Sequence, residues 1–138
     1  MRIRLIFVGF AMFAVSANAI ANDCLSYALK SNVMLTGIVQ MRAFPGPPNY
    51  ESIEGGDQKD VQPILVLTKP VCVDGKTALS SFDVSESMVR EMQLLVPFEL
   101  RARMAALAGK LASYRGHLMH QQNAQHRTAV LFIVEDIQ

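Results

Sequence analysis

One short helical stripe set among five stretches of strand-like alternation is what most narrows the folds open to this chain. From Val33 onward, Val33, Leu35, Gly37, Val39 and Met41 alternate with Thr36, Gln40 and Arg42, the period of two of a half-buried strand. Gly37 in its interior predicts a bulge or sharp bend, as a strand shared by both halves of a small barrel requires. Gln62 to Thr68, with Ile64, Leu65, Val66 and Leu67, reads as a strand buried on both faces; Val71, Cys72 and Val73 extend it past Pro70, and Asp74 and Gly75 turn the chain. A polar stretch to Ser87 leads into a third strand, Val89 to Val96, with Met92, Leu94 and Val96 on one face. The helical stripe follows. Pro97 suits a first helical position, Glu99 places negative charge in the first turn, Leu100, Met104 and Leu107 share one face, and Gly109 with Lys110 supplies a stop. Two further strands complete the pattern, Leu111 to Met119 with Ala112, Tyr114, Gly116 and Leu118 on one side, and Thr128 to Ile137.

The order strand, strand, strand, helix, strand, strand predicts a mainly-β, five-stranded barrel of the oligonucleotide/oligosaccharide-binding (OB) type, its short helix between the third and fourth strands. Ahead of it, Arg2 and Arg4, the apolar run Leu5 to Val15 and the small-residue end Ala17, Asn18, Ala19 have the layout of a cleavable signal peptide over residues 1–21, cut after Ala19 or Ala21. Asp23 directly before Cys24 argues against acylation there. The expected product is a single domain over residues 22–138, periplasmic or secreted, without stable membrane insertion. In that oxidising setting the chain's 2 cysteines, Cys24 and Cys72, are expected to pair. Such a closure would remove about 4 kcal/mol of unfolded-state entropy. Loss of Arg2 and Arg4 from the 13 basic residues leaves 11 against 12 acidic ones, so the domain lacks the positive field on which nucleic-acid binders depend. The second and third strands also carry no aromatic residue on which bases could stack.

Between the first two strands, Phe44 to Asp60 holds 3 prolines, 3 glycines and 4 carboxylates, a composition that predicts a long loop. Its string Phe44, Pro45, Gly46, Pro47, Pro48, Asn49, Tyr50, Glu51, Ser52, followed by Gly56 and Asp57, resembles the signature of an exported bacterial family known as domain of unknown function 4431. The resemblance extends to Cys24, Leu25 and Tyr27, to Leu35, Thr36 and Gly37, to Pro70, Cys72 and Val73, and to Gln93 and Leu94. That family shows a histidine-rich turn before its last strand; here only His126 and Thr128 of the turn match, so no metal role carries over.

In an OB barrel the loop after the first strand and the loop before the last lie at one end, flanking the usual binding face. Phe44 to Asp57 and His120 to Thr128 are therefore expected to border a shared groove. Phe44 and Tyr50 would stack on a flat or sugar-like ligand, Asn49, Glu51 and Ser52 would orient it, and Pro45, Pro47 and Pro48 would hold the loop stiff. The competing reading has Phe44 and Tyr50 merely capping the core. Glu51, Glu54, Asp57 and Asp60 read as a solvated, mobile acidic stretch rather than as catalytic or calcium-binding acids. His117 and His120 point to opposite sides of a strand, whereas His120 and His126 flank a turn and with Glu51 or Asp57 form a weak zinc or copper candidate. No nucleophile elbow, phosphate loop or Cys/His pair is present. The expectation is a non-catalytic module without cofactor that binds a protein or glycan partner of the cell envelope, one form being an inhibitor of a cell-wall-degrading enzyme; the alternative is a small periplasmic metal-binding protein using His120 and His126.

Overall fold

A computed structural model describes residues 23–28, 32–75 and 80–138. The signal peptide expected over residues 1–21, with its cleavage sites, lies outside them.

Six strands and one helix follow in order: β1 (Leu25–Ser26), β2 (Val33–Pro45), β3 (Lys59–Asp74), β4 (Glu86–Leu95), α1 (Arg101–Leu107), β5 (Leu111–His120) and β6 (Val130–Ile137). β2 pairs antiparallel with β3 and β5, β5 with β6, and β3 with β4; the parallel pairing of β4 with β6 then closes the wall. The result is a mainly-β, five-stranded closed barrel with one short helix, consistent with the OB-like fold. β1, which the alternation pattern did not reveal, adds a two-residue parallel pairing, Leu25 with Val73 and Ser26 with Asp74. It lies next to the disulfide between Cys24 and Cys72, whose Cα atoms are 4.7 Å apart.

Inward-facing residues of every barrel strand meet in one core, including Leu35, Val39, Leu65, Met92, Leu94, Tyr114, Leu118, Phe132 and Val134, with Met104 entering from α1. Each large side chain buried there contributes roughly 1.5–3 kcal/mol relative to exposure. The wall curves sharply at two glycines because backbones approach closely. A Cβ on Gly37, which pairs with both Leu67 and Ala112, would press into the Val66 carbonyl; one on Gly116 would press into the Ile133 carbonyl, beside a register shift between β5 and β6.

Two expectations are corrected. The helical segment opens with a 3-10 turn, Phe98–Leu100, and its α-helical part spans only Arg101–Leu107, ending where Gly109 takes φ 79° and donates its N–H to Val39 O. More consequential is the length of the first hairpin. Phe44 and Pro45 are not loop but the end of β2, paired with Asp60 and Lys59 of β3. Because β5 covers β2 only up to Ile38 and β4 covers β3 only from Ile64, residues 39–45 and 59–63 project as a two-stranded arm. Its register puts Arg42, Phe44, Asp60 and Gln62 on the outer face and Met41, Ala43, Val61 and Pro63 on the inner one.

Candidate functional site

The arm is capped by Gly46 to Gln58, a loop that satisfies itself. Gly46 N–H donates to Gln58 O at 2.7 Å, Tyr50 N–H to Gly46 O at 2.9 Å and Gln58 N–H to Pro47 O at 2.9 Å. The Pro47–Pro48 peptide is cis. At its centre Asp57, 6% exposed, accepts the N–H of Asn49 at 2.9 Å on Oδ1 and those of Glu51 at 2.8 Å and Ser52 at 3.0 Å on Oδ2. These bonds favour the charged form and hold its carboxyl below the usual carboxylate range, the Ser52 amide contributing most. They also lock Tyr50, whose φ of 62° is a conformation that a bulky side chain adopts only when its neighbours are pinned. The mobile, solvated acidic stretch expected from composition is thus corrected at Asp57, because three backbone donors converge on one carboxylate.

The second loop, residues 121–129, folds over the outside of the barrel. There Ile64, Gln93 and Leu131 form a row across β3, β4 and β6, opposite in parity to the core, yet none is more than 2% exposed. Gln93 organises the cover. Its N–H donates to Thr128 Oγ1 at 2.8 Å, and its Oε1 accepts the Arg127 N–H at 2.6 Å. Its amide nitrogen reaches Gln62 Oε1 at 3.3 Å and Gln125 O at 3.4 Å. Thr128 Oγ1 passes its own hydrogen to Val130 O. Within the turn, His126 Nδ1 accepts the Gln122 N–H at 3.0 Å, and burial holds the imidazole pKa below its ordinary value.

Arg127 joins the two loops. Its side chain is 7% exposed, its Nη2 donates to Asp60 Oδ2 at 2.7 Å and its Nη1 to Ala124 O at 3.0 Å. The guanidinium lies over both the Phe44 ring, 5.3 Å from its centroid, and the Tyr50 ring at 5.4 Å. The hydrogen bond from Arg127 is the main cause that lowers the Asp60 pKa, so this acid too is paired rather than solvated.

Of the residues singled out from sequence, Phe44, Tyr50, Asp57, His126 and Thr128 are brought together as the scaffold of this platform, with Pro45, Gly46 and Ser52 at least half-buried within it. Pro47, Pro48, Asn49 and Glu51 are exposed on its rim. His120 is drawn elsewhere: its Nε2 meets Glu86 Oε1 at 2.8 Å, and its ring stands edge-on to Tyr27. The His120, His126 and carboxylate set is not assembled, and among the described residues no group of three histidines, cysteines or acids is placed to hold a metal. Sequence reading missed Arg127 and Gln93. The signals were there, a lone arginine in an otherwise uncharged turn and a lone amide between Met92 and Leu94, but neither has meaning until the two loops meet.

Among the described residues no helix is long and apolar enough to cross a membrane. No family model matches the chain, and no curated protein or solved structure matches it either.

Proposed function

We propose that the chain is a non-catalytic, exported OB-like binding module, periplasmic or secreted, which engages a protein or glycan partner of the cell envelope through the rim of the 44–57 loop and the neighbouring 120–128 turn. One observation carries the reading. Arg127, clamped between Phe44, Tyr50 and Asp60, joins both loops into one preorganised platform whose exposed rim includes Pro47, Pro48, Asn49 and Glu51. A surface ordered before contact loses little further entropy on binding, which is how a small rigid rim becomes selective. An inhibitor of a cell-wall-degrading enzyme is the most specific form, with the proline rim presented to the enzyme's cleft. The resemblance to the exported family of unknown function is in keeping with export and adds no activity.

The test uses immobilised protein of residues 22–138 against a glycan array and against envelope extract, side by side with a Pro47→Ser/Glu51→Arg double variant. Both side chains are exposed, so the melting temperature should stay within about 2 °C of the parent. A partner retained by the parent and lost by the variant supports the reading; equal capture by both proteins removes the rim from consideration.

A further inference from the structure

Among the described residues no loop covers the inner face of the arm. Where β3 leaves β4 at Ile64 and β4 turns away after Leu95 toward the helix, a groove of about 770 Å³ opens between the arm and α1. Met41 and Val61 stand on its arm side, 49% and 46% exposed, facing Val96 and the buried Met104. Among the described lining residues Arg101 is the one charged side chain and no carboxylate is present; Gln62 also borders the groove, while its side-chain amide meets Asp60 and Gln93 on the outer face. Arg101 is held at the edge: its Nε donates to Val96 O at 3.3 Å, and its guanidinium lies 5.9 Å from the Phe98 ring centroid. No carboxylate of the described residues comes within ion-pair distance of it.

We propose that this groove binds a single-chain anionic amphiphile, an alkyl chain carrying one carboxylate or phosphate headgroup. The apolar trough takes the chain, with methionines that adapt to its conformation, and the unpaired guanidinium receives the headgroup through a forked, charge-assisted contact. Charge complementarity selects an occupant with one negative end and a long apolar body. An added peptide strand is the poorer fit, since Pro63 removes a backbone donor at the barrel end of the short exposed β3 edge. The site lies on the face opposite the loop platform and stands independently of the partner proposed for that platform.

Calorimetry and amide chemical shifts on residues 22–138 test it, with dodecanoate, lysophosphatidylglycerol and neutral dodecyl maltoside as probes below their micellar concentrations. Saturable binding of an anionic probe, one per chain, is expected to shift Met41, Val61 and Arg101, with the neutral probe markedly weaker. Arg101→Gln should weaken binding roughly tenfold, the loss of one charge-assisted contact. Val61→Asp should abolish it, with Met41→Asp as a second charge insertion at an equally exposed position. Tighter binding of dodecanoate assigns free fatty acid as the source, and tighter binding of the lysolipid assigns a phospholipid product; either supports the proposal. It is overturned by the absence of saturable binding, by binding indifferent to Arg101→Gln and Val61→Asp, by retention only on intact phosphatidylglycerol vesicles, or by a concentration-dependent dimer that Val61→Asp dissolves.

Discussion

The two faces of the β2–β3 arm are built from the same strands, residue by residue in alternation, and they have opposite characters. On the outer face Phe44, Asp60 and Gln62 are engaged by Arg127 and Gln93, so that a turn distant in sequence closes over them. On the inner face Met41 and Val61 remain about half exposed beside Arg101, which meets no carboxylate of the described residues. A polar face placed against its own chain is costly wherever a donor or acceptor goes unmet, and here most find partners, Arg127 Nε being an exception, whereas an apolar face left bare costs only its hydration. The outer face therefore behaves as structure, and the inner face keeps apolar side chains exposed; the two proposed contacts, at the rim and in the groove, rest on that difference.

Breaking the outer face should cost far more than altering the inner one. Arg127→Ala removes a hydrogen-bonded ion pair and both ring contacts at once; partial exposure of Asp60 keeps the loss to about 2–3 kcal/mol, read from denaturant unfolding. Gln93→Leu retains volume but strips the Arg127 amide of its acceptor, and about 1–2 kcal/mol is expected in the same assay. Acidification should sharpen the comparison by opening the outer face in two steps. The lowered pKa of His126 means that the unfolded state binds a proton first, so the turn loses protection as pH falls from about 6.5 through the folded value. Asp57 and Asp60 are likewise lowered, so their stabilisation is complete above about pH 4 and fades only below it. Hydrogen exchange at Gln122 should therefore rise before exchange at Asn49, Glu51 and Ser52, and simultaneous loss would contradict separate locks. Smallest of all, Met41→Ser and Val61→Thr on the inner face should each change stability by less than about 0.5 kcal/mol.

The barrel was largely legible from the sequence because its core strands obey a period of two that any half-buried strand must show. Leu35, Val39, Tyr114 and Leu118 are buried where alternation put them, and Cys24 pairs with Cys72 as expected from the count of two cysteines. The arm was not legible, since three prolines and one glycine at residues 45–48 mask the fact that Phe44 and Pro45 still pair as strand. The role of Asp57 was misread for a related reason: composition counts carboxylates but cannot show three amides turning toward one of them.

What the sequence by itself determined is the set of five barrel strands, the short helix and which side of each barrel strand faces the core, because those depend on local periodicity and on the free energy of burying apolar side chains. Only the tertiary structure decided that Arg127 lies between Phe44 and Tyr50, that Gln93 is buried outside the barrel, and that the inner face of the arm stays bare. The first two outcomes rest on contacts between residues 31 to 83 positions apart, which closure of the wall creates and no local pattern encodes.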